Sequence, residues 1–340
     1  MTNNTTDTTS VTDTAGATST TDRAGAASAA SATAANGTAR TPGTDSSHPT
    51  IFQLGGDLPV RRIGYGTMRL ADGPGDPTGP EARVWTAPAD RAAAIALLRT
   101  AAEAGVTLFD TADAYALGAG EELLAEALRP YGEGVAVATK VGVVRPSPTE
   151  WVALGHPAYL RQQAELSLRR LRTERIDLLH LHRLDEAFPV AEQIGALRQL
   201  QDEGKVRHIG LSEVTVAQLT EAEAVAPIAA VQNLYNLANR DHEDVVEHTA
   251  GRGIAFVPFF PVAMGGHAGP EGPVARVARE IGASPSQTAL AWLLHRAPHI
   301  LPIPGTTSAA HLVENLGALD VSLTEEQFAR LGEEVGDAAS

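Results

Sequence analysis

The sequence contains no cysteine. That absence excludes disulfides, thiolate metal sites and a cysteine nucleophile, and it suits a reducing compartment, so the cytoplasm is expected. No apolar run approaches the 18 or so residues of a membrane-spanning helix, and no membrane association is expected. Positive charge is in deficit: 26 Lys and Arg stand against 41 Asp and Glu, a formal net charge of -15. A nucleic-acid partner needs a basic footprint, so none is expected. Large apolar side chains are missing from residues 1–48, where Thr, Ala, Ser, Gly and Asp dominate and Val11 is the only sizeable one after Met1. Such a segment cannot bury enough apolar surface to offset chain entropy and is expected to be disordered. It has neither the basic start nor the apolar run of a secretory signal; a low-complexity tether and a misplaced start codon both fit it.

From residue 49 to 340 the pattern changes. Short runs rich in Val, Ile and Leu recur at 61–66, 106–110, 135–139, 176–181, 206–211, 229–232, 254–259 and 300–303. Amphipathic stretches lie between them: 90–104 carries Ile95, Leu98 and Ala102 at helical spacing, and 157–171 carries Leu160, Ala164, Leu168 and Leu171. Gly105, Gly204 and Gly253 stand where a helix must stop before the next run. Runs apolar throughout imply strands covered on both faces, hence parallel pairing through helical crossovers. Eight such units predict an α/β fold, a (β/α)8 TIM barrel; an open doubly wound sheet is the rival, weakened because no GxGxxG follows the first run. The Gly-Gly of IFQLGGDLPV (51–60) predicts an N-terminal β-hairpin. Residues 271–282 and 284–297 hold more helix than the last unit needs, so extra C-terminal helices are expected.

In such a barrel the reactive side chains belong at the C-terminal ends of strands. There the sequence places Asp110 and Tyr115 (FDTADAY), Lys140, His182, Ser212, and Gln232 with Asn233. Each alone has a bland reading as a turn cap, a loop aromatic or a solvated strand end. Together they suit carbonyl reduction, which needs a hydride and a proton delivered to the forming alkoxide. A phenol has an unperturbed pKa of about 10. Lys140 as a neighbouring ammonium is expected to lower that of Tyr115; a drop of about 3 units amounts to roughly 4 kcal/mol. Asp110 would hold Lys140 charged, and His182 would orient the substrate oxygen. His180 is two residues from His182 and points the same way. A hydrogen-bonded interior histidine is favoured over a ligand, and no metal is expected.

On these residues the chain resembles the aldo-keto reductase superfamily, from about Phe52 to Leu331. The motifs are GVTLFDTADAY, ATK, IDLLHLH, VRHIGLSEV, VQNLYNLANR and IPGTTSAAHLVEN. The GTTS of the last resembles a bacterial oxidoreductase group related to pyridoxal reductases. The resemblance implies a metal-free, NADPH-dependent reductase of aldehydes or ketones. It implies that Asp110, Tyr115, Lys140 and His182 form the catalytic tetrad. Ser212 and Gln232 would bond the nicotinamide carboxamide, with Glu213 where asparagine is common, and Phe259 would stack on the ring. Gly66, Thr67 and Met68 would border it, and Phe260, Pro261, Val262, Gly265 and Gly266 would clasp the pyrophosphate. Thr306, Thr307, Ser308, Glu314 and Asn315 would surround the adenosine end. Gly305 and His311 stand where many members carry a lysine and an arginine against the ribose 2′-phosphate, which weakens discrimination for NADPH and leaves NADH as the alternative.

For substrate contacts, Arg183 follows His182 where some members have tryptophan, implying a polar or anion-attracting pocket mouth. Trp85, Arg145 and Trp151 stand in the long loops 71–90 and 141–157, either facing the substrate or packing under the loops. The expected partner is a small carbonyl compound, and a monomer is the default. A cofactor-bound, non-catalytic regulatory subunit stays open on the same fold, as does a barrel isomerase or lyase that uses no nicotinamide.

Overall fold

A computed structural model describes residues 49–71, 84–262 and 269–336, all within one compact body of the chain. The tail at 1–48, most of the loop at 72–83, and Gly265, Gly266 and His267 lie outside the described residues.

Two short strands come first, β1 (Ile51–Leu54) and β2 (Leu58–Arg61), paired antiparallel around Gly55 and Gly56, which both take positive φ. Such turns favour glycine because a Cβ is disfavoured in that region. A curled parallel sheet follows, of β3 (Tyr65–Gly66), β4 (Leu108–Asp110), β5 (Ala136–Val141), β8 (Ile176–Leu181), β9 (Val206–Ser212), β10 (Ile228–Gln232) and β11 (Ala255–Phe256). Each strand is hydrogen-bonded to the next in that order. Between β5 and β8 the chain makes a small antiparallel pair, β6 (Val143–Val144) with β7 (Val152–Ala153). The crossover helices are α1 (Arg91–Glu103), α2 (Ala119–Leu128), α3 (Pro157–Leu171), α4 (Val190–Asp202), α5 (Val216–Glu223) and α6 (Glu243–Thr249). After β11 come α7 (Pro273–Ile281), α8 (Pro285–Arg296), α9 (Ala309–Leu316) and α10 (Glu325–Gly336). Local sequence sets their starts: Asp90 caps α1 by accepting from Ala93, and Thr215 with Gln218 and Ser284 with Gln287 form capping boxes on α5 and α8.

Residues 299–303 join the two edges of this sheet. Phe256 donates its N–H to His299 and accepts from Leu301, while the Gly64 N–H bonds to Pro302 O at 3.0 Å. Pro302 and Pro304 lack N–H groups, so this eighth segment makes only scattered bonds rather than a ladder. The architecture is an α/β barrel with a curled parallel sheet inside a ring of helices.

Alternation along the strands builds the interior. Leu108, Ala138, Leu178 and Ala230 pack together inside with Leu54, Leu58 and Val60 from the β1–β2 pair. The outward neighbours Phe109, Val137, Leu179, Ile209 and Val231 join the core beneath the helices. Two residues further along, on the same inward face, stand Asp110, Lys140, His180 and Gln232. Apolar packing below thus delivers these polar groups to one end of the barrel. Arg62 ties the wall: its buried guanidinium donates to the carbonyls of Ile300, Leu294, Ala297 and Pro49, and burial lowers its pKa to about 10.

Candidate active site

Lys140 is the centre of the site. It is fully buried near the end of β5, and its ammonium donates to Asp110 Oδ1 at 2.6 Å, to the Thr111 carbonyl at 2.7 Å and to the Tyr115 hydroxyl at 3.3 Å. All three donor protons of the ammonium are used. The other Asp110 oxygen accepts from the Gln232 amide at 2.8 Å, so the carboxylate is fixed from two sides. Tyr115 is placed by a tight turn in which the next two residues, Ala116 and Leu117, take positive φ. Its ring stands edge-on to His182, with centroids 6.0 Å apart, and to Trp151 at 6.3 Å. The structure therefore brings Asp110, Tyr115, Lys140 and His182 together.

The electrostatics correct one expectation. Burial is the largest influence on the Tyr115 phenol and holds its pKa above the usual 10; Lys140 acts in the opposite direction and Asp110 adds to the rise. The lowering by Lys140 is present, but burial outweighs it, and the Asp110 carboxylate beside the lysine opposes it further. Lys140 itself is pushed down by burial, but Asp110 and then Tyr115 outweigh this and its pKa lies above the ordinary lysine value. Burial, followed by Lys140 and Arg183, keeps the pKa of His182 well below 6.5, so its ring is neutral at pH 7. Its Nδ1 has no hydrogen-bond partner among the described residues. The site thus presents an un-ionised phenol and a neutral imidazole side by side.

These groups open onto a cavity of about 350 Å³, within the range of small-molecule sites. Of the residues singled out in the sequence, Gly66, Met68, Ser212, Glu213 and Gln232 line it. So do Phe259, Phe260, Pro261, Val262 and Gly305, together with Trp151 and Arg183. Thr67, Thr306, Thr307, Ser308, His311, Glu314 and Asn315 do not line it. Ser308 caps α9, and the Glu314 carboxylate is taken by the Ser284 hydroxyl. Trp85 and Arg145 also lie off the cavity. The Arg145 guanidinium donates to the carbonyls of Glu150, Val84, Pro148 and Ala114 and stacks 3.6 Å from the Trp151 ring centroid. It braces Trp151 from behind. His180 sits below the tetrad with Nδ1 3.2 Å from the Leu211 carbonyl. Gly210 makes room for it, since a Cβ there would meet His180 Nδ1 at 2.4 Å.

Sequence reasoning missed Arg69, Val143, Leu234 and Ile303, which also line the cavity. Each lies within three residues of a position that was singled out or inside a strand-like run, so proximity to a strand end was the available signal. It also missed a buried network behind Tyr115, in which Glu121 accepts from Thr139 at 2.6 Å and from Arg170 at 2.5 Å.

Gly66 and Gly305 meet backbone to backbone. A Cβ on Gly305 would stand 2.7 Å from Gly66 O, and one on Gly66 would stand 2.8 Å from Ile303 O. No side chain fits at 305 without moving β3. Gly305→Ala is expected to cost about 1–3 kcal/mol, the usual penalty of overpacking, read as a lower urea midpoint; an unchanged midpoint would show that the contact relaxes freely.

With the geometry in place, comparison with known proteins decides the family. Residues 62–334 match the model of the aldo/keto reductase family. The chain belongs to the aldo/keto reductase family. An uncharacterized oxidoreductase of Schizosaccharomyces pombe is 43% identical over 298 residues, covering 87% of this chain and 94% of that protein. Pyridoxine 4-dehydrogenase of Escherichia coli is 40% identical over 283 residues, covering 81% of this chain and 95% of that protein. Among solved structures, an aldo/keto reductase from Klebsiella pneumoniae in complex with NADP and acetate superimposes with a TM-score of 0.71. It is 27% identical, and the match covers 84% of this chain and 96% of that one. A second structure of an aldo-keto reductase from Klebsiella pneumoniae, in complex with NADPH, gives a TM-score of 0.70 at 28% identity, covering 84% and 95%. Among the described residues of this aldo/keto reductase, no helix is long and apolar enough to cross a membrane.

Proposed function

We propose that this aldo/keto reductase uses NADPH to reduce an aldehyde or ketone to the alcohol, with Tyr115 as the proton donor. One observation carries the reading: a single ammonium, Lys140, bridges the Asp110 carboxylate and the Tyr115 hydroxyl at the wall of a cavity that His182 shares. A carbonyl oxygen in that cavity would accept hydrogen bonds from the Tyr115 hydroxyl and from the neutral His182 ring. A bound nicotinamide supplies the hydride. As charge develops on the oxygen, Tyr115 releases its proton to it, and Lys140 at 3.3 Å stabilises the phenolate left behind. Asp110 keeps the lysine charged and pointed, held in turn by Gln232.

The residues present fit such a cofactor. Gly66 and Met68, with Thr67 between them off the cavity, and Ser212, Glu213 and Gln232 would take the nicotinamide half, with Phe259 lining the same cavity. Phe260, Pro261 and Val262 would lie along the pyrophosphate. Gly305 to Ser308 lead into the start of α9, where free N–H groups and the helix dipole suit a phosphate; Thr306, Thr307, His311, Glu314 and Asn315 would meet the adenosine there. The NADP- and NADPH-bound relatives support NADPH over NADH.

The test is NADPH oxidation with a panel of aldehydes. Its pH profile has a required shape. Reduction needs a protonated Tyr115 and a neutral His182, and burial moves the two pKa values apart, up and down respectively. At saturating NADPH, kcat/KM for the carbonyl is expected to be flat from about pH 6.5 to 9, falling only as pH rises toward the tyrosine pKa above about 10. A descending limb with its midpoint near pH 7 would contradict the un-ionised phenol. No turnover with any aldehyde, despite NADPH binding, would contradict the reductase assignment.

A further inference from the structure

We propose that Arg183 selects carbonyl substrates that carry a carboxylate, an inference that rests on the reductase reading above. Arg183 directly follows His182 past the end of β8, and its side chain lines the cavity beside Tyr115, Trp151 and His182. One terminal nitrogen is fixed by the protein: Nη1 donates to the His182 carbonyl at 2.7 Å and to the Ser212 hydroxyl at 3.1 Å. Nε and Nη2 have no hydrogen-bond partner among the described residues, and neither is among the polar atoms sealed in the interior. Those two nitrogens form one edge of the guanidinium, the edge whose parallel N–H groups match the two oxygens of a carboxylate. The buried arginines contrast with it, since Arg62 and Arg145 each donate to four carbonyls, and the half-buried Arg170 is paired with Glu121.

The charge of Arg183 is also poorly neutralised. No carboxylate of the described residues lies within 4.0 Å of it. Glu213 is the acidic group that most influences it. That carboxylate is occupied by the Leu234 N–H at 2.6 Å, with His242 at 4.0 Å. The Asp110–Lys140 pair is neutral as a whole, so among the described residues the cavity lining carries Arg69 and Arg183 against Glu213 alone. In a chain of net charge -15 this local positive balance is not background. Trp151, Val143 and Met68 make the adjoining wall apolar, which strengthens the attraction for an anion by limiting its screening. Because Arg183 lines the same cavity as His182 and Tyr115, a carbonyl held by those two would lie in one cavity with the free edge, open to a carboxylate elsewhere on the same substrate.

The test compares 4-carboxybenzaldehyde with its methyl ester, which are similar in size but differ in charge; the ester withdraws electrons more strongly than the ionised carboxylate, so intrinsic reactivity favours the ester and works against the expected preference. Wild type is expected to favour the acid in kcat/KM by about tenfold or more, equivalent to about 1.4 kcal/mol. Arg183→Met should collapse that acid-to-ester ratio at least tenfold, chiefly through KM for the acid, and Arg183→Lys should restore part of it. An ester reduced as well as the acid by wild type, or a ratio unmoved in Arg183→Met, overturns the proposal while leaving the reductase reading intact. A higher KM for NADPH with an unmoved ratio would assign Arg183 to positioning Ser212 instead, again overturning it. Reduction of neither compound counts against the reductase reading itself. Should Arg183→Met fail to fold, wild-type ester reduction is inhibited with benzoate and with benzamide: stronger inhibition by benzoate that weakens with salt supports the proposal, and equal inhibition overturns it.

Discussion

Lys140→Met is expected to destabilise the protein by about 3–5 kcal/mol, the usual result of removing one partner from a buried ion pair. The side chains of Lys140 and Asp110 are 1% and 4% exposed, so Asp110 would be left in the interior with only the Gln232 amide as a hydrogen-bond donor among the described residues. The Thr111 carbonyl would lose its ammonium as well. Asp110 should respond by taking up a proton, since an unpaired buried carboxyl disfavours its charged form. The sign of the pH dependence follows. A carboxyl whose folded pKa rises above its unfolded value of about 3.9 penalises the native state at neutral pH, and the penalty shrinks as pH falls toward that value. Urea denaturation should therefore show the Lys140→Met deficit to be larger at pH 8 than at pH 5. Adding Asp110→Asn to Lys140→Met should recover part of the loss, because the stranded charge is gone. A Lys140→Met protein as stable as wild type at pH 8 would mean that Asp110 is solvated or neutral, contrary to the geometry.

Much of the fold was readable because strand and helix periods differ. The eight apolar runs mark the seven strands and the closing segment, and alternation within them predicts which residues point inward, so that Leu108 and Asp110 share a face, as do Ala138 and Lys140. What the pattern hid was how little regular structure some runs keep. The first run keeps only Tyr65–Gly66 in the parallel sheet, since Arg62 turns to bind carbonyls across the wall and Gly64 bonds to Pro302. The closing run forms no ladder, because its prolines donate nothing. Neither effect is periodic, so neither appears in a hydropathy pattern.

The site divides in the same way. The tetrad was legible because strand ends are countable along the chain and four polar groups fell there together. Arg145 shows the limit: an arginine in a loop near an expected pocket reads as a substrate contact, yet the fold wraps it in carbonyls and turns it into a brace for Trp151. The Tyr115 shift shows another. A lysine beside a tyrosine suggests acidification, but the outcome depends on burial and on how closely Asp110 approaches that lysine, and distances of 2.6 and 3.3 Å are not written in a sequence.

Tyr115→Phe separates chemistry from architecture and is expected to lower kcat for carbonyl reduction by about 10²–10⁴, the usual contribution of a positioned proton donor. The phenylalanine ring would keep the edge contacts with His182 and Trp151. Lys140 would keep Asp110 and Thr111 as acceptors and lose only its 3.3 Å contact with the hydroxyl, so no buried charge is stranded. Stability should change by about 1 kcal/mol or less, in contrast to Lys140→Met, although both variants disable the same proton. NADPH binding, followed by the cofactor's fluorescence, should be retained, because among the described residues the hydroxyl bonds only to Lys140. Slow turnover with intact binding and an intact fold therefore assigns the lost rate to the phenolic proton alone. A Tyr115→Phe enzyme within a few-fold of the wild-type rate would transfer that role to His182, the remaining un-ionised group facing the carbonyl.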